Sequence, residues 1–384
     1  MPQKILVLGM INSIHFANWL ERFDGKEIEF TIFPARQFRS IHPKIRCLLA
    51  SAGKTKYSIN SGIRPKHYSN ILDYIYATKW FRYIPGFSRK NRLAKILKKS
   101  SYDVIHAVEL QGAGYLLLEI KNILNQFPGK IILTNYGSDI YFYQNDTTNR
   151  QKLIDLLELA THYSAECQRD YELASDLGFK GSYLMKAPNS TAFNKEELSE
   201  AGVLTSQRSR VVVKTYGGTF GLGAVAIQAI EELLADNGDF NVTFYSVTDD
   251  LVDQIEILAG KYPARIEFFT VRNSLSHEEL MQQFRDARVY LGCSRSDGIS
   301  TSFLEALAFG CYPIQTNTSC AGEWVDLGAI ASVIPTTKDA AVDALKLALA
   351  DDELVNRAQK ANLKIAQTFL SQEYIKKQLE HFYD

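Results

Sequence analysis

The chain has 384 residues, 46% of them hydrophobic, and a formal net charge of zero at pH 7. Single hydrophobic cores stop growing at about 250–300 residues, so this length predicts two domains. No apolar run reaches the roughly 20 residues of a membrane-spanning helix, no secretion leader is recognisable, and the five cysteines lack zinc-ligand spacing. These features argue against membrane-spanning, secreted and zinc-finger proteins, and we expect a protein of the cytoplasm.

The charges are divided unevenly along the chain. Residues 1–190 contain 26 Lys and Arg against 16 Asp and Glu, a net charge of +10, and the remaining residues have a net charge of −10. Such asymmetry indicates that the two halves bind different partners.

Short apolar runs alternate with helical patterns in both halves, which is typical of βαβ units and parallel sheets. The strand-like runs are residues 4–10, 29–34, 103–109, 130–137, 210–218, 241–247, 265–271, 288–294, 311–316 and 331–335. A polar, turn-rich stretch interrupts the pattern between Pro188 and Arg208. We therefore predict a Rossmann-like, doubly wound domain at 1–190, a second at 191–365, and a C-terminal helix at 366–384 that packs back on the first.

The first predicted strand is followed by a loop and a helix, in the sequence GMINSIHFANWLERF. Asn12 and Ser13 are candidate N-caps for this helix, which places His15 in its first turn. A lone histidine is more often structural than catalytic, so both readings of His15 stay open.

A strongly basic segment lies between Arg36 and Lys99, with 16 Lys and Arg and a single acidic residue, Asp73. Its second part interleaves aromatic and basic residues: Trp80, Phe81, Tyr83 and Phe87 with Arg82, Arg89, Lys90, Arg92, Lys95, Lys98 and Lys99. Aromatic and basic side chains together favour a membrane interface with anionic lipid. Nucleic-acid binding and a plain solvated face are the alternatives, and no nucleic-acid-binding module surrounds the segment.

The second half opens with a strand and a glycine-rich loop, RVVVKTYGGTFGLG. Gly217 and Gly218 would let the backbone approach a phosphate. The spacing is not G-x-G-x-x-G, so a Rossmann dehydrogenase is disfavoured.

The most informative segment is RVYLGCSRSDGISTSFLEALAFGCYPIQT, residues 288–316. It predicts a buried strand, a turn, and a helix that opens with three hydroxyl residues, Ser300, Thr301 and Ser302. The N–H groups at a helix N-terminus bind phosphate oxygens. Asp297 precedes the helix and Glu305 lies one turn inside it, and carboxylates accept hydrogen bonds from sugar hydroxyls. On spacing alone, a surface aspartate and a helix-capping glutamate are the more common explanation of such a pair.

The stretch from Asp297 through Glu305 to Pro313 and Ile314 resembles the E-x7-E region of glycosyltransferase family 4, with aspartate in place of the first glutamate. The resemblance is strong from about Arg208 to Trp324 and looser before it. It implies the GT-B fold, in which two Rossmann-like, doubly wound parallel-sheet domains face each other across a cleft. SDGIST followed by TNTSCAGEW is similar to a subgroup that assembles bacterial surface polysaccharides.

The resemblance also implies roles for individual residues. Asp297 would bind hydroxyls of the donor sugar, and Glu305 the ribose hydroxyls. The remaining donor-binding residues would be Gly217, Gly218, Gly298, Ile299, Ser300, Thr301 and Ser302. Lys214 would neutralise the departing diphosphate. The second basic residue of the family's glycine-rich loop is missing here, and Arg272 or Arg295 would have to replace it.

In the first half, the resemblance places Asn12, Ser13, His106, Tyr136 and Asp139 on the acceptor or sugar side, and His15 in a catalytic or acceptor-binding role. TNYGSD, residues 134–139, has Tyr136 where the family has histidine. Asp139 is equally a candidate helix cap. His106 is equally a candidate buried strand residue.

The resemblance thus implies a retaining hexosyltransferase that uses a nucleotide sugar, with UDP as the expected carrier, and a glycan or lipid-linked acceptor. It implies no cofactor and no metal ion, and we expect no nucleic-acid partner. Two alternatives stay open: a GT-B nucleotide-sugar epimerase, and a catalytically silent partner that binds nucleotide or membrane in a polysaccharide-assembly complex.

Overall fold

The computed structural model of the protein describes residues 2–36, 40–60, 88–184, 186–189, 191–198, 202–236 and 238–384. The chain forms two compact units. The N-terminal unit comprises Met1–Ser190 together with Lys376–Asp384, and the C-terminal unit comprises Thr191–Ile375.

The described residues of the N-terminal unit form a parallel sheet of seven strands. In chain order the strands are β1 (Gln3–Gly9), β2 (Ile28–Pro34), β3 (Lys56–Ile59), β4 (Val104–Val108), β5 (Lys130–Thr134), β6 (His162–Ser164) and β7 (Ser182–Tyr183). Their order in the sheet is β3-β2-β1-β4-β5-β6-β7. β1 and β4 are buried along almost their whole length, because helices cover both faces of a parallel sheet.

The described helices of this unit connect the strands. They are α1 (Ile14–Glu21), α2 (Pro43–Ala50), α3 (Arg89–Lys99), α4 (Tyr115–Leu118), α5 (Lys121–Leu124), α6 (Ser138–Tyr141), α7 (Thr147–Leu159) and α8 (Gln168–Asp176). A π-helical turn at Leu110–Gly114 precedes α4, and a 3-10 turn at Tyr143–Asn145 follows α6.

The described residues of the C-terminal unit form a second parallel sheet, of six strands. They are β8 (Arg210–Lys214), β9 (Asn241–Val247), β10 (Ile266–Thr270), β11 (Ala287–Gly292), β12 (Tyr312–Thr316) and β13 (Ser332–Ile334). The order is β10-β9-β8-β11-β12-β13. Numbered within each unit, both sheets contain the order 3-2-1-4-5-6, which is that of the doubly wound dinucleotide-binding fold.

The described helices of the C-terminal unit are α9 (Gly223–Ala235), α10 (Val252–Lys261), α11 (His277–Asp286), α12 (Thr301–Phe309), α13 (Ala321–Asp326), α14 (Lys338–Ala350) and α15 (Asp352–Phe369). A last helix, α16 (Gln372–Gln378), crosses the boundary at which the chain returns to the N-terminal unit. Two 3-10 turns, Thr205–Gln207 and Asp249–Leu251, complete the list.

Strand residues of the C-terminal sheet alternate between two buried clusters. Val211 and Val213 of β8 belong to one cluster, and Val212, between them, belongs to the other. Successive side chains of a strand point to opposite faces, so this alternation shows that both faces of the sheet are covered. The strand's continuous apolar sequence follows from that double burial.

Candidate active site

The carboxyl edge of the C-terminal sheet holds the predicted donor-side residues. β8 and β11 are neighbours, with Lys214 paired to Gly292 at their ends, and their connections leave toward opposite sides of the sheet. Ligands of doubly wound folds bind outside the carboxyl ends of the strands at such a switch point. The two loops also bond to each other, because Leu222 N–H donates to Cys293 O at 3.2 Å and Arg295 N–H to Phe220 O at 2.7 Å.

The glycine-rich loop after β8 is held by two side chains that sequence reasoning did not select. Gly217 N–H donates to Thr248 Oγ1 at 2.9 Å, and Gly218 N–H to Asp250 Oδ2 at 3.4 Å. A Cβ atom on Gly217 would overlap the Asp250 carboxylate, and Gly218 has a φ of +68°. The backbone conformation at Gly218 favours glycine, and a side chain at Gly217 would displace the Asp250 carboxylate.

The helix predicted after the Asp297 turn is present as α12, and the phosphate site at its N-terminus stays a prediction. α12 begins at Thr301, and the N-cap residue Ser300 makes no side-chain capping bond. The first N–H groups of a helix have no partner inside the helix, so they are suited to bind an anion. Ser302 is buried, Thr301 is half-buried, and Gly298 O accepts the N–H of Cys320 at 2.7 Å.

Glu305 is a buried carboxyl in the second turn of α12, only 6% exposed. Burial raises its pKa to about 8, and Lys214 and a hydrogen bond from Ser302 oppose that rise. The carboxyl is thus close to its titration point near neutral pH. Asp297, half-buried, lies in the loop before the helix, and its N–H donates to Thr318 O at 3.3 Å.

Lys214 is half-buried at the end of β8. Its Nζ lies 5.2 Å from the centre of the Tyr216 ring, a cation–π distance. Burial raises the pKa of Tyr216, with a further rise from Asp297 and an opposing hydrogen bond from Ser294. Tyr216 therefore connects the lysine to the loop of Asp297. No motif in the sequence selects this tyrosine, although its place two residues after the end of β8 is a usable signal.

The two arginines considered as a second cation are placed differently. Arg272 is 79% exposed and forms an ion pair with Asp249. Arg295 is exposed and lies in the loop after β11, two residues before Asp297. Of the two, Arg295 is on the segment that carries the donor-side residues.

In the N-terminal unit, Ser13 caps α1 by accepting the N–H of Phe16 at 3.5 Å. Asn12 and His15 are exposed, and the His15 ring lies 6.4 Å from the ring of Tyr136. Ser13 is therefore the cap of α1, and the ligand-binding roles of Asn12 and His15 stay predictions.

His106 is fully buried in β4. Its Nδ1 lies 2.8 Å from Tyr383 Oη and its Nε2 2.7 Å from Thr134 Oγ1. Burial lowers its pKa to about 3, so the ring is neutral at physiological pH. These contacts support the structural reading of His106, and the acceptor-side role stays a prediction.

Asp139 is buried in α6 and joins two loops. Its carboxylate accepts the N–H of Leu110 at 2.9 Å and that of Tyr136 at 2.8 Å. Burial raises its pKa to about 7, against the lowering effect of the bond from Leu110. Tyr136 is half-buried with its hydroxyl oxygen inaccessible to solvent. The contacts of Asp139 account for its place in the fold without a ligand.

Glu109 is a residue that the sequence analysis missed. It follows β4 with a φ of +83°, is 4% exposed, and forms an ion pair with Arg36. A non-glycine residue with positive φ costs about 1–3 kcal/mol and is most often kept at functional sites. No sequence pattern predicts a positive φ at a glutamate, so Glu109 is recognisable only in the structure.

Part of the predicted membrane-docking segment can be described. Residues 37–39 and 61–87, which include Trp80, Phe81, Tyr83 and Phe87, lie outside the described residues. The basic end of the segment forms α3, whose Leu93 and Ile96 are buried. Lys90, Lys95, Lys98 and Lys99 are exposed on this helix. None of the helices in the described part of the chain is long and apolar enough to cross a membrane.

Within the described residues of each unit taken by itself, no three His, Cys, Asp or Glu side chains come close enough together to hold a metal ion. The metal-free mechanism stays a prediction.

The chain has the two-domain, Rossmann-like GT-B fold, as predicted. It is similar over 99% of its length to 98% of sucrose-phosphate synthase from Thermosynechococcus elongatus, with a TM-score of 0.71 and 16% identity. It is also similar to HepE from Anabaena in complex with UDP, with a TM-score of 0.70 and 12% identity over 99% of both chains. A third similar structure is α,α-trehalose 6-phosphate synthase from Burkholderia multivorans. Its TM-score is 0.68 and its identity 11%, over 99% of this chain and 98% of that one.

The sequence match is more restricted than the structural one. Residues 224–365 match the family model described as "Glycosyl transferases group 1". This stretch contains Asp297, Glu305 and the whole of α12, and ends inside α15. No curated protein matches the chain in sequence.

Proposed function

We propose that the chain is a glycosyltransferase, of the hexosyltransferase type, that moves a sugar from a nucleoside diphosphate sugar to an acceptor hydroxyl. The observation that carries the proposal is the buried Glu305 carboxyl beside Lys214, at the switch point of the C-terminal sheet. The group 1 match over residues 224–365 supports it. The HepE structures with UDP and with UDP-glucose support UDP as the carrier.

In this proposal, the donor binds along the loop and helix that follow β11. The diphosphate lies at the N-terminus of α12, beside the backbone N–H groups of the first turn and the hydroxyls of Ser300, Thr301 and Ser302. Asp297 and the backbone at Gly298 and Ile299 hold the sugar. Glu305 accepts hydrogen bonds from the ribose hydroxyls, and the backbone at Gly217 and Gly218 contacts the phosphates.

The chemical step breaks the bond between the anomeric carbon and the phosphate oxygen, and negative charge accumulates on the departing nucleoside diphosphate as this bond breaks. The acceptor oxygen bonds to the anomeric carbon, and its proton passes to the departing phosphate oxygen. Lys214 and the α12 N-terminus stabilise that charge, and such stabilisation is the largest single term in many enzymes. The proposal needs no metal ion, because these groups carry the positive charge that a metal would supply.

Retention of configuration, membership of family 4 and a role in surface-polysaccharide assembly rest on the resemblance at Asp297–Glu305. We propose a glycan or a lipid-linked glycan as the acceptor. The acceptor side would use Asn12, Ser13, Tyr136 and Asp139, with His15 orienting the acceptor or the sugar. Of these, the exposed Asn12 and His15 are the most accessible to a ligand.

A lipid-linked acceptor requires that the protein reach the cytoplasmic face of a membrane. The exposed lysines of α3 would contact anionic lipid, where each contributes about 1 kcal/mol. Replacing Lys95, Lys98 and Lys99 with glutamine should abolish pelleting with vesicles that contain anionic lipid. Unchanged pelleting would contradict this surface.

The decisive test of the donor site is thermal stabilisation by a panel of nucleoside diphosphates and nucleotide sugars. A ligand at 100 times its dissociation constant adds about 2.7 kcal/mol of stability. We expect a shift selective for one base in the wild type and none in Glu305→Ala. Glu231→Ala, which removes an exposed glutamate of α9, is the matched control.

The same panel separates the alternatives. A shift without transfer to any acceptor would favour a silent nucleotide-binding partner. Donor turnover without an acceptor would favour an epimerase. The absence of any shift would contradict the proposed donor site.

A further inference from the structure

Glu109 occupies an unusual position at the carboxyl end of β4. Its φ is +83°, and the five residues after it, Leu110–Gly114, form a π-helical turn. Positive φ at a non-glycine residue and π-helical turns both concentrate at functional sites. Two such features in succession make Glu109 a candidate functional residue.

The carboxylate of Glu109 fixes the guanidinium of Arg36. Glu109 Oε2 lies 3.0 Å from Arg36 Nη2, and Glu109 Oε1 accepts the N–H of Ala113 at 2.8 Å. The Glu109 side chain is 5% exposed, whereas that of Arg36 is 49% exposed. A guanidinium has five N–H donors in a rigid fork, so a single bond to Glu109 orients the group and leaves part of it accessible.

Gly112 lies against this ion pair. A Cβ atom at this position would overlap both Glu109 Oε1 and Arg36 Nε. The backbone at Gly112 therefore lies directly against both side chains of the pair. Because glycine has no side chain, the Arg36 guanidinium can pack directly against the backbone at this position.

A second arginine accompanies Arg36. Arg89, the first residue of α3, is half-buried, and its Nη1 donates to Ala35 O at 2.8 Å. Burial lowers the pKa of Arg89; Glu119 opposes that effect, and Arg36 lowers the pKa further. Arg89 therefore contacts the backbone one residue before Arg36, and an anion bound there would be near two positively charged side chains.

The pair lies at the ligand-binding edge of the N-terminal sheet. Arg36 follows β2 and Glu109 follows β4, and these strands flank β1 on its two sides. Their contact therefore passes over the carboxyl end of β1. This is the switch point of the N-terminal sheet, the counterpart of the donor-side edge in the C-terminal unit.

We propose that Arg36 and Arg89, positioned by Glu109, bind a phosphate group of the acceptor; this inference rests on the proposed glycosyltransferase function. A phosphate monoester carries close to two negative charges and accepts hydrogen bonds from guanidinium forks. It suits two arginines better than a neutral sugar does. The net charge of +10 on residues 1–190 favours the same class of ligand.

The test is calorimetric titration of the full chain with inorganic phosphate and with phenyl phosphate, in the presence and absence of UDP. We expect binding that persists when UDP is present. Arg36→Gln and Arg89→Gln should each weaken it about tenfold or more, and Glu109→Gln should weaken it because Arg36 loses its anchor. Arg150→Gln, which removes an exposed arginine of α7, is the matched control and should bind as the wild type does.

Arg89→Gln keeps the test informative if Arg36→Gln unfolds, because it leaves the Arg36–Glu109 pair intact. Phosphate binding of wild-type strength in folded Arg36→Gln and Arg89→Gln would overturn the proposal. Binding that UDP abolishes and that does not depend on Arg36 would also overturn it, since the phosphate would then occupy the donor site.

Vesicles of phosphatidylcholine with and without phosphatidic acid identify the source of the phosphate. Pelleting that requires both phosphatidic acid and Arg36 supports a lipid phosphate, and Arg36-dependent binding of soluble phosphate alone supports a soluble acceptor. Binding of UDP is measured separately and reports on the donor site. Intact phosphate binding without any UDP binding would contradict the proposed function and leave the anion site standing.

Discussion

The imidazole Nδ1 of His106 and the hydroxyl oxygen of Tyr383 are 2.8 Å apart, although 277 residues separate them in the chain. His106 lies in the centre of the N-terminal sheet, and Tyr383 belongs to the nine residues, Lys376–Asp384, that return to that unit. Phe382 and Tyr383 also pack against Trp19 and Phe23. The chain's last residues are therefore part of the N-terminal core.

Tyr383→Phe should lower the free energy of unfolding by about 1–3 kcal/mol, because it leaves a nitrogen of buried His106 without its hydrogen bond. Urea unfolding measures the loss. Tyr102→Phe is the control, since Tyr102 is a half-buried tyrosine packed against the core of the same unit. Equal stability of the two variants would show that the bond to His106 contributes nothing.

His106 should make stability depend on pH. Its pKa is lowered to about 3 from an ordinary value of 6.5, so the unfolded chain binds a proton over this range and the folded chain does not. Stability should therefore fall as pH decreases from about 6.5 toward 3. His106→Gln should show a shallower pH dependence in urea unfolding between about pH 7 and pH 5. An unchanged slope would indicate that His106 is protonated in the fold.

Asp139→Asn separates the structural reading of Asp139 from the functional one. The carboxylate accepts two backbone N–H groups, whereas the amide presents only one oxygen to them. We expect a loss of about 1–3 kcal/mol in stability. A structural role predicts that the remaining folded enzyme keeps its KM for the acceptor. A raised KM with unchanged stability would instead place Asp139 on the acceptor.

Glu305→Gln should stabilise the ligand-free protein at neutral and higher pH. The pKa of Glu305 is raised to about 8 from 4.5, so the folded state retains a proton that the unfolded state loses, and stability falls as pH rises through this window. The variant's advantage should grow between about pH 5 and pH 8 and reach on the order of a few kcal/mol. Glu231→Gln provides the baseline. A difference that does not vary with pH would contradict the raised pKa.

Lys214→Met should lower kcat by about 10²–10³-fold, as expected when one group that stabilises the leaving charge is removed. Its effect on the affinity for UDP should be smaller, because the N–H groups of α12 remain. Lys261→Met, at an exposed lysine paired to Glu231, is the control for the loss of one positive charge. A proportional loss of kcat and nucleotide affinity would indicate a binding role instead.

The fold was readable from the sequence where burial is complete. The apolar runs at 4–10 and 29–34 predict strands, and the structure has them at Gln3–Gly9 and Ile28–Pro34. The run GYLLLEIKNIL predicts one helix, but two four-residue helices form there, separated at Glu119 and Ile120. The helical periodicity of the sequence continues through that break. The ends of the two short helices are visible only from their backbone capping bonds in the structure.

The candidate site was readable where a motif fixes the local structure. Asp297, Ser300 and Glu305 were selected because a strand, a turn and a hydroxyl-rich helix start can be recognised in sequence. Glu109 and Arg36 were missed because their relationship depends on one backbone angle and on a contact between two strand ends. Neither quantity has a local sequence pattern.

The return of residues 376–384 to the N-terminal unit has a consequence for biosynthesis. Domains generally fold in the order in which they leave the ribosome, the N-terminal one first. Here Phe382 and Tyr383, which complete the N-terminal core, are translated after the whole C-terminal unit. The N-terminal unit therefore cannot complete its core until residues 376–384 have been translated. A ribosome that stalls in the C-terminal half would leave His106 and Trp19 without their contacts to Tyr383 and Phe382.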